Sequence, residues 1–200
     1  PGAAEPLATL VPAGGIGHRA TACGDLCRSD RAADRTLVAA AFPAGGPPVL
    51  HLDVDDTPAQ RRLADEVAHQ LGDVGLTVEV RARPSADYEA ALAAGEVELF
   101  SAGWVGVHPG PDAYLVPLLL GTSADNLTGA DDPGVDAAVA EGLVEGPSAG
   151  AWSTAESTAL SAGWIVPVAQ FRVRAVTSAR VEGLAHRLDG TFDATQVRLG

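Results

Sequence analysis

Three adjoining stretches decide the fold: Val49-Leu-His-Leu-Asp-Val54, a helical pattern that begins at Thr57-Pro58, and Leu76-Thr-Val-Glu-Val-Arg-Ala82. The first and the last alternate apolar and polar residues, which is typical of half-buried β-strands. In the middle stretch the apolar residues recur at every fourth position: Ala59, Leu63, Val67 and Leu71. That spacing predicts a helix with one apolar face, which Gly72 ends. Because a strand, a helix and a second strand in one sheet are almost always parallel, the sequence predicts an α/β fold.

Similar patterns continue on both sides of this unit. Ser29 is the predicted N-cap of a helix over residues 30–41. Ser85 is the predicted cap of a short helix, and the mostly apolar residues 97–104 predict a third strand. Pro117 interrupts the next helical pattern and should kink or break it. The remaining patterns predict two helices and one extended run, at 134–145, 150–162 and 164–176.

The composition excludes several classes of protein. Of the 200 residues, 46% are apolar and 20% are charged, so the chain can bury a core and is not expected to be disordered. No stretch approaches the roughly 18 apolar residues of a membrane span. Thirteen basic against 26 acidic residues give a net charge of −13, which argues against binding to nucleic acid or anionic membrane surfaces. Because the chain opens with Pro1 and contains no Met, we expect a processed or excised piece of a longer protein.

The two cysteines, Cys23 and Cys27, lie close together in the sequence. Their C-x₃-C spacing differs from the C-x₂-C of zinc sites and of redox motifs. We expect a local disulfide, and therefore an oxidising, extracytoplasmic compartment. Two free thiols are one alternative, and a zinc site that includes His18 is another, although it lacks a fourth ligand nearby.

Catalytic and metal-binding patterns are weak. Ser148 lies in a Gly-x-Ser-x-Gly match that joins two helical patterns, whereas a nucleophile elbow joins a strand to a helix. Asp53, Asp55 and Asp56 could hold Ca²⁺ or Mg²⁺, or could simply stabilise the start of the following helix. Asn126-Leu-Thr128 matches a glycosylation sequon, for which a plain loop is the alternative. We therefore predict no enzyme activity, no metal and no cofactor.

The stretch from Gly103 to Asp112 is the strongest candidate for a binding site. It leads Trp104 from the predicted third strand into a loop rich in Gly and Pro, at the sheet edge where open α/β sheets bind ligands. An indole offers a flat, stiff surface to an organic ligand, and glycines let the backbone approach it. Packing of Trp104 in the core is the alternative.

Four stretches resemble, in order and spacing, the extracellular solute-binding protein family 5, the oligopeptide- and dipeptide-binding type of ABC importers. They are Asp30–Phe42 with Gly45, Leu50–Val80, Tyr88–Trp104 and Asp125–Asp136. The resemblance implies the C-terminal lobe of a class II periplasmic-binding-protein-like fold, with a central mixed, mostly parallel sheet flanked by helices. It also implies three segments: an extended N-terminal segment at 1–28, the α/β lobe at 29–166, and strands at 167–200 that return towards a missing N-terminal lobe.

The family implies an extracytoplasmic protein, anchored as a lipoprotein, that closes two lobes on a small-molecule solute and delivers it to an ABC permease. The residues expected to face the cleft are Trp104, Val107, His108 and Asn126. In peptide-binding members an acidic residue three positions after the Gly-Trp tryptophan pairs with the free amine of the ligand. Val107 stands there in this chain. We therefore expect a ligand other than an ordinary free-amine peptide, such as a sugar, a capped peptide, a metal chelate or a lipid headgroup.

The departure at Val107 also fits a second role, in which the fold serves as a scaffold or regulator in the cell envelope and binds protein partners. An open, ligand-sized cleft around Trp104 favours the transport receptor, whereas a cleft filled by side chains favours the scaffold. We also expect unpaired strand edges at 164–176 to let this piece self-associate.

Overall fold

The computed structural model describes residues 4–43, 45–171, 175–187 and 191–200. The chain divides into two compact units: residues 28–103, and residues 1–27 together with 104–200. These units differ from the three segments expected from the sequence, and the assignment of those segments to lobes of a larger protein stays a prediction. None of the described helices is long and apolar enough to cross a membrane.

Strands and helices alternate through the first half of the chain, in agreement with the predicted α/β class. Within the described residues the strands are β1 (Ala4–Pro6), β2 (Val49–Asp55), β3 (Thr77–Arg83), β4 (Leu99–Phe100), β5 (Ala169–Phe171), β6 (Val181–Glu182), β7 (Ala185–His186), β8 (Phe192–Asp193) and β9 (Arg198–Leu199). The helices are α1 (Arg31–Ala41), α2 (Pro58–Asp73), α3 (Ser85–Ala93), α4 (Asp112–Leu119), α5 (Pro133–Glu145) and α6 (Gly150–Ser161), and a 3-10 turn covers Gly24–Cys27.

The unit of residues 28–103 contains a parallel three-stranded sheet in the order β3-β2-β4. Strands β2 and β3 pair along their full length. The alternating pattern of β2 buries Leu52 and Val54 in one cluster with Ala64 of α2. Helix α2 is capped by Thr57, whose side-chain oxygen accepts a hydrogen bond from the backbone N–H at N3 at 3.3 Å. The predicted parallel strand–helix–strand unit is therefore confirmed.

Two predicted helix caps are wrong. Helix α1 is capped by Asp30 rather than Ser29, because Asp30 Oδ1 accepts hydrogen bonds from the backbone N–H groups at N2 and N3, both at 3.1 Å. Helix α3 begins at Ser85 itself, and the hydroxyl of this residue donates to Asp55 Oδ1 at 2.7 Å. Asp30 thus takes the cap position predicted for Ser29, and Ser85 bonds to β2 instead of capping α3.

The third strand is much shorter than predicted. Strand β4 contains Leu99 and Phe100, and residues 101–104 lie outside it. The carbonyl of the next residue, Ser101, accepts a hydrogen bond from the Tyr88 hydroxyl at 2.5 Å. The Tyr88 side chain of α3 thus bonds to a backbone carbonyl that a longer β4 would have paired with the neighbouring strand.

Helices α4, α5 and α6 form the core of the other unit. Their buried side chains pack with three residues of the N-terminal segment in one cluster, which includes Leu10, Val11, Cys23, Tyr114, Leu115, Leu119, Val135, Val139, Trp152 and Leu160. Of the kink or break predicted at Pro117, the break is wrong, because α4 continues to Leu119, and the kink stays a prediction. The missing N–H of Pro117 removes one helical hydrogen bond, the one to the Ala113 carbonyl, and α4 ends two residues later. Helices α5 and α6 confirm the two helices predicted after the polar loop.

A buried carboxylate ties the N-terminal segment to α6. Glu156 is 1% exposed and accepts hydrogen bonds from the Thr9 hydroxyl at 2.7 Å and the Leu10 backbone N–H at 2.6 Å. Its other carboxylate oxygen accepts a hydrogen bond from Arg19 Nη2 at 3.1 Å. These contacts explain why the N-terminal segment groups with α4, α5 and α6.

Short antiparallel strand pairs complete this unit. Strand β1 pairs with β5, β6 with β9, and β7 with β8. Of the extended run predicted at 164–176, the described residues form a strand only at Ala169–Phe171, and residues 172–174 lie outside the described residues. Self-association through the edges of this run stays a prediction.

Candidate functional site

Trp104 is anchored by its indole nitrogen. Nε1 donates a hydrogen bond to the Ala113 carbonyl at 2.7 Å, which ties the residue to the first turn of α4. Trp104 nevertheless keeps 40% of its surface exposed. The residue is therefore not part of the core of its unit. One edge of the indole is fixed, and about two fifths of the surface of the residue is accessible.

The backbone after Trp104 presents apolar side chains on a tightly held turn. Val105 and Val107 are 63% and 79% exposed. Between them, Gly106 is buried against the ring of Tyr114, and a Cβ atom at position 106 would overlap that ring, 2.8 Å from Cε1. Burial raises the pKa of the Tyr114 hydroxyl. Only glycine lets the backbone approach α4 this closely, and we refer to residues 104–110 as the Trp104 loop.

His108 uses both ring nitrogens within its own neighbourhood. Nδ1 accepts a hydrogen bond from the Gly110 backbone N–H at 3.2 Å, and Nε2 lies 3.3 Å from Asp112 Oδ2. Because Nδ1 accepts, the proton of the neutral ring is on Nε2, the nitrogen that faces the carboxylate. The ring ties the Trp104 loop to the start of α4, and its contact with a ligand stays a prediction.

Asn126 lies in the loop that follows α4. Its amide group donates to the carbonyls of Leu120 and Ala130 at 3.3 and 2.7 Å, and its side-chain oxygen accepts from the Thr128 hydroxyl at 2.7 Å. The eight residues of α4 span about 12 Å, and the Trp104 loop lies before this helix whereas Asn126 lies after it. The structure thus brings three of the four predicted residues into one loop, and it uses the Asn126 side chain to hold a different loop.

A disulfide joins Cys23 and Cys27 across the 3-10 turn, with 5.7 Å between their Cα atoms. Cys23 is buried, and its backbone N–H donates to the Ala8 carbonyl at 3.0 Å. His18 Nδ1 lies 2.8 Å from the Val11 carbonyl oxygen, and the disulfide leaves neither cysteine available as a thiolate ligand. The contacts of these residues give no support to the zinc alternative.

The three aspartates at the end of β2 have separate partners. Asp53 accepts a hydrogen bond from Arg83 Nε, and Asp56 accepts one from Arg61 Nε, both at 2.5 Å. The hydrogen bond from Arg61 lowers the pKa of Asp56. In the part of the chain that the structure describes, no three His, Cys, Asp or Glu side chains group as a metal site. The cation hypothesis therefore gains no support.

A cavity of about 180 Å³ lies beside the start of α6. Its lining includes His18, Arg19, Pro111, Ser148, Trp152 and Glu156. Ser148 stands in the turn between α5 and α6, whereas a nucleophile elbow requires a turn from a strand into a helix. The charged groups of Arg19 and Glu156 pair with each other in this wall.

The fold is that of a class II periplasmic-binding-protein-like lobe, and solved structures share it. HbpA2 from Haemophilus parasuis matches with a TM-score of 0.79 at 19% identity, over 100% of this chain and 41% of that one. The Escherichia coli murein tripeptide binding protein MppA matches with 0.72 at 22%, over 84% and 34%. Haemophilus influenzae OppA, solved with the peptide RPPGFSPFR, matches with 0.70 at 17%, over 84% and 35%. The chain thus spans roughly a third to two fifths of the length of these proteins.

The family follows from the sequence comparison. The family model described as bacterial extracellular solute-binding proteins, family 5 middle, matches residues 2–126, and the chain belongs to this family. The matched range includes the whole Trp104 loop. A search of curated proteins found no match. The family expected from the four sequence stretches is therefore confirmed.

Two positions that shape the loop were not among the predicted site residues. Gly106 is one, and the glycine-rich run around Trp104 was the available signal for its close approach to α4. Ala113 is the other. Its signal was Pro117, because a proline four residues after a helical residue leaves the carbonyl of that residue without its usual donor.

Proposed function

We propose that the chain is part of the substrate-binding component of an ABC-type importer, and that the Trp104 loop forms one wall of its solute site. One observation carries this proposal. The Trp104 loop lies within the residues that match the family model, and its backbone is held against α4. It exposes three apolar side chains: Trp104, Val105 and Val107. The role is that of a binding protein and not of an enzyme. The proposed partners of the chain are a second lobe, a membrane permease and the small-molecule solute.

The proposed location is extracytoplasmic. The family is described as extracellular, and the disulfide between Cys23 and Cys27 persists in oxidising compartments. Anchoring of the full-length protein as a lipoprotein belongs to the same proposal.

The chemistry of the loop bears on the class of solute. MppA is a murein tripeptide binding protein, and Haemophilus influenzae OppA is solved with a peptide. In this chain Val107 stands where peptide-binding members are expected to carry an acidic residue, so its side chain offers no counter-charge to an ammonium group. Burying an ammonium without a partner costs about 3–5 kcal/mol, or about 10² to 10³ in affinity. We therefore favour a sugar, a capped peptide, a metal chelate or a lipid headgroup over a free-amine peptide.

Calorimetry of the full-length protein tests the class of solute. We expect free dipeptides to bind weakly or not at all, and Val107→Asp to strengthen their binding by about tenfold or more, because the new carboxylate pairs with the amine. Val105→Asp is the matched control, since it places the same charge on an exposed neighbour. Nanomolar binding of unmodified peptides by the natural protein would contradict the inferred class.

An envelope scaffold is the second candidate, because an apolar loop as exposed as Val105 and Val107 also suits a protein partner. Native mass spectrometry of the full-length protein from its own host separates the two roles. A co-purified small molecule supports the receptor. A bound protein without a small molecule supports the scaffold and contradicts the receptor.

A further inference from the structure

Pro117 and Trp104 are linked through a single backbone carbonyl. In an α-helix each carbonyl accepts a hydrogen bond from the N–H four residues later. Pro117 lies inside α4 and has no N–H, so the Ala113 carbonyl lacks its helical donor. The indole N–H of Trp104 donates to that same carbonyl at 2.7 Å. A side chain of the proposed solute site thus replaces the donor that the proline removes.

We propose that Pro117 is a positioning residue for Trp104. It keeps the Ala113 carbonyl free of a helical partner, and this free acceptor fixes the indole at the start of α4. The inference rests on the proposed function, because it adds a residue to the solute site. An aromatic side chain that is already ordered loses less conformational freedom when a ligand binds, so the fixed indole favours affinity.

The position of the proline supports this role. Proline is common at the first position of a helix, where no N–H is needed, but Pro117 is the sixth residue of α4, where it destabilises the helix. The close approach of Gly106 to the ring of Tyr114 holds the Trp104 loop near α4, which brings the indole within reach of the carbonyl. The hydrogen bond from the Trp104 indole to the Ala113 carbonyl offsets part of the stability that α4 loses at Pro117.

Indole N–H resonances in ¹⁵N NMR spectra of the chain test the proposal. Pro117→Ala and Pro117→Leu both restore an N–H that competes for the Ala113 carbonyl, and Trp104→Phe assigns the resonance. We expect the Trp104 signal to move in both variants and its exchange with solvent to become about tenfold faster. Trp152 is the internal control, because its Nε1 donates to the Gly146 carbonyl at 3.0 Å, and its signal should not change.

A double-mutant cycle on unfolding supplies a second readout. Trp104→Phe should lower the folded-to-unfolded ratio roughly fivefold more in the natural chain, where it leaves the carbonyl unpaired, than in Pro117→Ala. Equal effects in both backgrounds, together with an unchanged Trp104 resonance, would overturn the proposal, since the carbonyl would then accept both donors. Neither readout uses a ligand. A failure here is therefore distinguishable from a failure of the proposed function, which only binding assays reveal.

Discussion

Glu156→Ala should be strongly destabilising, because it removes a buried acceptor on which three donors converge. The carboxylate is 1% exposed and accepts from Thr9, Leu10 and Arg19. Leaving the Leu10 N–H unpaired costs about 1–3 kcal/mol. The lost side-chain packing adds about 1–2 kcal/mol. Arg19 contributes little to the loss, because its side chain is 37% exposed and regains water.

The two contributions add up to an expected loss of about 2–5 kcal/mol, and the unfolding of one unit within the chain reports it. The tryptophans Trp104, Trp152 and Trp164 all lie in the unit that contains Glu156, so their fluorescence reports its unfolding. We expect the melting temperature to fall by about 10–20 °C. Glu141→Ala, at an exposed position of α5, is the control and should stay within about 0.5 kcal/mol. A loss below about 1 kcal/mol for Glu156→Ala would refute the reasoning.

Two further substitutions test packing and burial. Gly106→Ala places a Cβ atom against the ring of Tyr114 and should cost about 1–3 kcal/mol by tryptophan fluorescence, whereas Gly150→Ala, which adds its Cβ in open space within the same unit, should not destabilise it. Equal effects would contradict this packing. Burial, with a smaller effect of two nearby aspartates, raises the pKa of Tyr88 from 10.0 to about 12. The neutral hydroxyl therefore contributes stability that is complete below pH 10 and is lost as the pH rises towards 12. An absorbance titration of the natural chain against Tyr88→Phe measures this, and a Tyr88 that titrates near pH 10 would disprove it.

The strand–helix–strand unit of residues 49–82 could be predicted because each element carries its own period. Val49–Val54 alternates, and α2 has an apolar residue at every fourth position. Such patterns are local, so they can be recognised without knowledge of the rest of the chain. The start of α2 could also be predicted, because Thr is a favourable N-cap residue and Pro is favourable at the first helical position, which Thr57 and Pro58 occupy.

Several features that the sequence did not reveal depend on contacts between particular side chains of different elements, 13 positions apart in one case and 147 in another. The length of β4 is limited by a hydrogen bond from Tyr88 to the Ser101 carbonyl. The N-terminal segment joins α6 through Glu156 and Thr9, which lie 147 positions apart. Periodicity carries no information on such pairs. Trp104 could be singled out because its residue type and its glycine-rich surroundings are unusual, whereas its exposure could be learned only from the packing around it.

The claim that the Trp104 loop contacts the solute is tested most directly by one comparison of affinities. The solute that co-purifies with the full-length protein is titrated against the natural protein, Trp104→Ala and Val144→Ala. Val144 is the control because it is apolar and 88% exposed on α5, outside the loop. We predict that Trp104→Ala weakens binding roughly 30-fold or more while Val144→Ala leaves the Kd unchanged. A Kd for Trp104→Ala equal to that of the natural protein would contradict the claim.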